Sequence, residues 1–200
     1  MSIELIKVIF LSIVGYLYGS LSFSLILTKI LTGKDIRNID FKNAGAYNVY
    51  KNIGKGWGSL VAVMDGLKGY VIVIIGFLLN MNPSHVIIAA SFVIIGHCFP
   101  VYYNFYGGRG GAPIIGILLP FIPLQLLLGL IPAVIISLII RKFGTFPAFW
   151  LLFVLIEILL LNIDDLSSKT INALLYVMLL TGVMNTIIIM TNRDARVVKE

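Results

Sequence analysis

The chain has 200 residues, of which 59% are hydrophobic and only 12% charged. A soluble domain averages about 45–50% apolar and about 25% charged residues, so too few polar side chains remain to coat a water-facing surface. A soluble enzyme, a disordered tail and a coiled coil are excluded, and the net charge of +6 lies on loops between apolar runs, not on a module for nucleic acid.

The apolar runs predict an all-α integral membrane protein, a single membrane domain over residues 1–200, organised as a compact bundle of about seven transmembrane segments, two of them short. The runs cover residues 8–30, 57–79, 86–103, 113–140, 146–161 and 171–190. A full span needs about 17–25 residues. The run 113–140 is too long for one ordinary helix, and Pro120 and Pro123 favour two short helices in a hairpin. The first run is too long for a signal-peptide core, and no small-residue cleavage site comes after it. No internal repeat or linker is visible.

Seven segments put the termini on opposite sides. Of the 15 basic residues, 12 fall between segments one and two, after segments three and five, or at the C-terminus. Lys7 and Lys169 lie on the opposite side, and Lys68 lies inside segment two. The excess of Lys and Arg on cytoplasmic loops predicts an outside N-terminus and a cytoplasmic C-terminus.

Polar residues gather on the basic side. Ser20 and Ser24 are four apart on one expected helical face; they suit close helix packing, or Ser20 faces a polar cavity. Asp35 orients Arg37 or caps its loop. Asn43 and Asn48 flank Gly45, and their amides suit a phosphate or polyhydroxy ligand, or cap turns. Asp65 and Lys68, three apart in segment two, are expected to pair, and Glu157 stands alone in segment six. His97 begins a His-x-x-Pro at the end of segment three and is a candidate orienting residue or acid/base. Gly107, Gly108, Gly110 and Gly111 surround Arg109. Such glycines let backbone N–H groups converge into an anion nest, and the guanidinium adds a bidentate phosphate clamp. The lone Cys98 and the two histidines, His85 and His97, have no zinc spacing, so neither metal nor cofactor is expected.

Taken in order, Tyr18-Gly19-Ser20, Asp35-Ile36-Arg37, Asn43-Ala44-Gly45-Ala46-Tyr47-Asn48, Asp65-Gly66-Leu67-Lys68-Gly69, Gly96-His97-Cys98-Phe99-Pro100-Val101 and Phe105-Tyr106-Gly107-Gly108-Arg109-Gly110 resemble the motifs of the bacterial acyl-phosphate:glycerol-3-phosphate acyltransferase family (PlsY), over nearly the whole chain. The family pattern Ser-Gly-Asn reads Phe41-Lys42-Asn43 here, and its Gly-Gly-Lys-Gly reads Gly107-Gly108-Arg109-Gly110. Its C-terminal His-Arg reads Asn192-Arg193, and Thr145 falls where the family has serine.

The resemblance implies a multi-pass enzyme of the bacterial cytoplasmic membrane that acylates the 1-hydroxyl of glycerol 3-phosphate from acyl phosphate, the first step of phospholipid synthesis. Its partners are then both substrates, membrane lipid and the enzyme that makes acyl phosphate. The candidate catalytic set is Arg109, His97 and Asn43. The candidate substrate contacts are Ser20, Arg37, Asn48, Lys68, Gly107, Gly108, Gly110, Gly111, Thr145 and Arg193. Two other readings stay open: a catalytically altered or inactive paralogue, and a small membrane transporter or binder of a phosphorylated or lipid ligand.

Overall fold

The computed structural model describes residues 2–141, 146–160 and 167–190. Among them are nine α-helices, in chain order α1 (Ile3–Gly19), α2 (Phe23–Thr32), α3 (Ala46–Asn52), α4 (Lys55–Leu78), α5 (Pro83–Cys98), α6 (Gly111–Leu118), α7 (Pro123–Ile139), α8 (Phe146–Leu160) and α9 (Ser168–Met190). Short 3-10 turns lie at Ile36–Asn38 and Val101–Tyr103. Among the described residues every expected apolar run contains a helix. The stretches Ile3–Thr32, Lys55–Leu78, Pro83–Tyr103 and Ser168–Ile188 are long and apolar enough to cross a membrane, and α7 and α8 are shorter apolar helices.

Two expectations are corrected. The first run is not one helix. The Ser20 hydroxyl bonds back to the Tyr16 carbonyl at 2.8 Å, and Ser22 leaves helical backbone to cap α2, its Oγ accepting from the Leu25 amide. Serines here compete with the backbone ladder and end one helix while starting the next. Ser20 and Ser24 therefore sit in different elements. The 113–140 run does divide at its prolines, but unequally and without forming a packed hairpin. At 8 residues, α6 rises only about 12 Å and lies along α4, whereas the 17 residues of α7 lie along α8.

Helix α5 is the centre. Val86, Ile87, Ala89, Ala90, Val93 and Ile94 are fully buried, while Ile88 and Phe92 form an exposed face, and α1, α4, α6 and α9 pack on it. By contrast, α7 shows a sided pattern. Leu126, Gly129, Ala133 and Ser137 are buried, while Leu127, Ile131, Ile135 and Leu138 are exposed along one stripe and face lipid.

Glycine sets the closest helix approaches. A Cβ on Gly19 would stand 2.3 Å from the Val93 carbonyl oxygen, and one on Gly96 would stand 2.2 Å from that of Tyr16. The pair is reciprocal, so α1 and α5 touch backbone to backbone. Gly69 and Gly116 do the same between α4 and α6. Lipid tails are as apolar as leucine, so helices in a membrane gain by such close packing.

The two ends of the bundle differ. At one end Glu4 Oε1 accepts from the Asn82 amide at 3.0 Å and meets His85 Nδ1 at 2.9 Å. At the other, a second small core of Leu25, Ile36, Ala44, Val49 and Val61 caps the bundle with α2, α3 and the loop between them.

Gly116→Ala is expected to lower the thermal midpoint of the detergent-solubilised protein, by about 1–3 kcal/mol of overpacking, because its Cβ would fall 1.9 Å from the Gly66 carbonyl oxygen. Gly56→Ala meets open space and should leave the midpoint equal or higher. Equal losses in the two variants would reject glycine packing as the cause.

Candidate functional site

The cap begins with Arg37. Its Nε bonds both Asp35 carboxylate oxygens at 3.1 Å, and Nη2 reaches Asp35 Oδ2 at 2.7 Å. Its Nη1 donates to the carbonyls of Tyr103 at 3.0 Å and Tyr106 at 3.2 Å. Burial opposes the Asp35 charge, but the hydrogen bonds and charge of Arg37 outweigh it and hold the carboxyl below its ordinary 3.8. Arg37 therefore pins the 99–110 segment onto the 35–45 loop.

Asn48 is also committed. Its Nδ2 donates to the carbonyls of Ile36, Ile39 and Asn43, each at 3.0 Å. Its Oδ1 accepts from Asn52 at 2.8 Å. Asn48 is the buried knot of the cap. The Asn43 Oδ1 closes an Asx turn on the Gly45 amide at 3.2 Å, while its Nδ2 makes no hydrogen bond among the described residues.

The glycine run is half a nest. Gly107 donates to the Cys98 carbonyl at 3.2 Å and Gly108 to the His97 carbonyl at 3.0 Å, while the Gly107 carbonyl accepts from Ala44 at 3.3 Å. The Gly107 and Gly108 amides are thus spent on fixing the run to the end of α5. A Cβ on Gly108 would lie 2.2 Å from His97 Nε2, so these glycines serve close approach. The run ends at the start of α6. Gly110 takes φ +81° as the N-cap of that helix, and the first-turn amides of Gly111 and Ala112 have no partner within it. Arg109 stands at this helix start, where the helix dipole also favours an anion.

Three further candidates turn inward. Lys68 is fully buried. Its Nζ bonds Asp65 Oδ1 at 2.6 Å and the Leu21 carbonyl, and lies 4.6 Å from the centre of the Phe23 ring. His97 places Nδ1 3.7 Å from the same Asp65 oxygen and Nε2 against Gly108, behind the run. Ser20 donates to Tyr16 and accepts from the Val101 amide at 3.3 Å, tying α1 to the chain after α5. Thr145 and Arg193 lie outside the described residues.

The residue that sequence reasoning passed over is Lys42. A narrow cleft of about 10 Å³, room for about one water, is lined by Arg37, Lys42, Cys98, Phe105, Tyr106, Gly107 and Ile188. Lys42 has φ +50°, and Phe105 in the cleft wall and Asp40 and Asn104 nearby in sequence are also left-handed. The signal in the sequence was a lysine replacing the family's glycine.

The chain matches the family described as glycerol-3-phosphate acyltransferase over residues 9–197. A glycerol-3-phosphate acyltransferase of Mycoplasma capricolum is 40% identical over 155 residues, 74% of this chain and 60% of that protein. One from Listeria monocytogenes is 38% identical over 128 residues, 63% of this chain and 65% of that protein. The chain spans about 60% of the length of the two Mycoplasma relatives it matches. The crystal structure of PlsY (YgiH), an integral membrane glycerol 3-phosphate acyltransferase, in its glycerol 3-phosphate form has a TM-score of 0.77 at 26% identity, with 95% of both chains covered. Its lysophosphatidic acid form, at 23% identity and TM-score 0.72, shares the fold. The all-helical membrane fold is thus common to this chain and to solved proteins.

Arg37→Ala should quicken amide exchange over residues 103–108 and lower the thermal midpoint, since charged hydrogen bonds contribute about 1.5–3 kcal/mol. Unchanged exchange would reject the pinning role. Asp35 sets the sign of the pH dependence. Its folded pKa lies below the ordinary 3.8, so its contribution is complete above that value and is lost as pH falls through the folded value. Asp35→Asn should therefore be less stable at neutral pH and lose less on acidification below about pH 4.

Proposed function

The chain belongs to the glycerol-3-phosphate acyltransferase family, and on that premise we propose that it moves a fatty acyl group from acyl phosphate to the 1-hydroxyl of glycerol 3-phosphate. The hydroxyl oxygen attacks the acyl carbonyl carbon, the carbon–oxygen bond to phosphate breaks, and lysophosphatidic acid and inorganic phosphate leave. The observation that carries the reading is the start of α6. Arg109 precedes the left-handed Gly110 that caps α6, two residues after Gly107, whose carbonyl accepts from Ala44 of the 35–45 loop, and a helix start favours an anion.

Acyl phosphate is already activated, so no enzyme nucleophile is required. The work left is to hold two phosphates near one carbonyl and to stabilise the oxyanion. Arg109 and the α6 start hold phosphate, and the Asn43 amide supplies a further donor. Because His97 is turned to Asp65 and Gly108, the departing phosphate dianion itself takes the hydroxyl proton. A carrier protein would need a docking surface, and the loops are too short to build one. That argues against acyl carrier protein as the donor, and the family resemblance favours acyl phosphate over acyl-CoA. The enzyme that makes acyl phosphate is the functional partner. Thr145 and Arg193 belong to the same proposal as further phosphate contacts.

The molecule works as a single membrane domain, with its main core drawing on α1, α4, α5, α6, α7, α8 and α9. Its N-terminus is outside and its C-terminus cytoplasmic, because 12 of the 15 basic residues lie on one side. Substrate reaches the site from the inner leaflet.

The assay is purified protein with acyl phosphate and glycerol 3-phosphate, scored by lysophosphatidic acid. Arg109→Ala is expected to lower kcat/KM at least about tenfold, and Arg109→Lys to lose less. Robust turnover with acyl-CoA and none with acyl phosphate would overturn the donor. Full activity of Arg109→Ala at normal expression would reduce Arg109 to a topology signal. A cysteine replacing Lys51, with Cys98 changed to Ser, should react with an impermeant reagent only after the cells are opened.

A further inference from the structure

We propose that Lys42 is a phosphate-binding side chain at the mouth of the cap cleft, held there by a left-handed backbone to grip the phosphoryl group of a substrate. This rests on the acyltransferase reading and adds a specificity-determining contact to it.

Three observations converge. The first is backbone conformation. Lys42 has φ +50°, and its amide donates to the Ile39 carbonyl at 3.0 Å, so the turn locks it in place. A glycine would hold this turn without steric cost. Strained non-glycine backbone concentrates where function requires the side chain, and Phe105 across the cleft is left-handed too, at φ +60°.

The second is charge. Asp35 is neutralised by Arg37, and Asp40 pairs with Lys51 at 3.0 Å. The Lys42 ammonium makes no hydrogen bond or ion pair among the described residues. The two carboxylates nearest to it in sequence are engaged by other cations, so its charge is left for an external anion.

The third is position. Lys42 lines the cleft with Arg37, Tyr106 and Gly107, one residue before Asn43, and the Gly107 carbonyl is bonded to Ala44. The backbone that carries Lys42 is thereby coupled to the glycine run that leads to Arg109. A half-exposed lysine at a cleft mouth offers a mobile point charge, suited to a phosphate dianion that must enter and leave. Both substrates carry such a group.

The test uses purified protein in nanodiscs of zwitterionic lipid, comparing wild type with Lys42→Gly, Lys42→Gln and Lys42→Arg. Kinetics are measured for each substrate, and the thermal midpoint with and without inorganic phosphate. Lys42→Gly and Lys42→Gln are expected to raise KM for a phosphoryl substrate about tenfold, with kcat changing less, and Lys42→Arg to restore most of the affinity. Lys42→Gly should melt at or above the wild-type temperature, which separates lost binding from damaged folding. A rise confined to glycerol 3-phosphate assigns the contact to the acceptor, and one confined to acyl phosphate assigns it to the donor. Unchanged KM for both would overturn the proposal, as would an effect seen only when anionic lipid is added. If wild type turns over nothing, the acyltransferase reading fails while the phosphate contact is still decided. A phosphate-induced rise in midpoint that Lys42→Gln loses supports it, and no rise, or an equal rise in both, overturns it.

Discussion

One buried ammonium joins the parts of this molecule. The chain breaks its first helix at Ser20–Ser22, and a break in a membrane bundle exposes carbonyls that no water can satisfy. Lys68 reaches from the middle of α4 to the Leu21 carbonyl at that break while pairing with Asp65. Asp65 in turn faces His97, and His97 backs Gly108. The entry to α2, the rotation of α4 and the seat of the glycine run thus share one polar line. Burying an ion pair gains little net stability, but removing one partner strands the other, at about 3–5 kcal/mol. Such a line makes alternative helix rotations expensive, and this explains why a fully apolar α4 would be a poorer scaffold.

Around that line, polar residues divide their labour unevenly. Arg37, Asn48, Ser20 and Lys68 are spent on backbone carbonyls or internal carboxylates, and the Gly107 and Gly108 amides on the end of α5. The reason is local. The cap crosses between short elements, its backbone lacks a regular ladder, and side chains must supply the missing bonds. Asn48 alone serves three carbonyls. Among the described residues the Asn43 Nδ2 and the Lys42 ammonium make no such bond.

The sequence disclosed the membrane class, the apolar segments and the cluster of polar motifs on one side, because each depends on composition or on spacing along one helix. The Asp65–Lys68 pair was legible for the same reason, being three apart on α4. Partners across the fold were not. Arg37 looks the same in sequence whether it meets phosphate or the carbonyls of Tyr103 and Tyr106, residues 66 and 69 positions away. The serines at 20–24 fit a continuous helix by period, and only the capping of α2 by Ser22 shows the break. Gly107 and Gly108 have the composition of an anion nest, yet their amides are claimed by carbonyls that the end of α5 brings beside them. Spacing identifies residues that come together. It does not reveal which hydrogen bonds are already taken.

Backbone strain obeys the same division. Among the described residues, Asp40, Lys42, Asn80, Asn104, Phe105 and Arg141 are left-handed without being glycine. Four of these six fall in the two cap segments that Arg37 ties together, and none lies inside a helix. Each left-handed non-glycine residue costs about 1–2 kcal/mol, so the cap needs compensation from elsewhere. The small core of Leu25, Ile36, Ala44, Val49 and Val61 and the Asn48 knot supply it. The bundle carries rigidity through glycine contacts that tolerate no added methyl group, and the cap carries strain through a local apolar core and saturated hydrogen bonds. At their junction a rigid α5–α6 corner meets a wall of irregular backbone that includes the left-handed Lys42 and Phe105. That separation allows the wall to change its contacts in evolution without disturbing the corner.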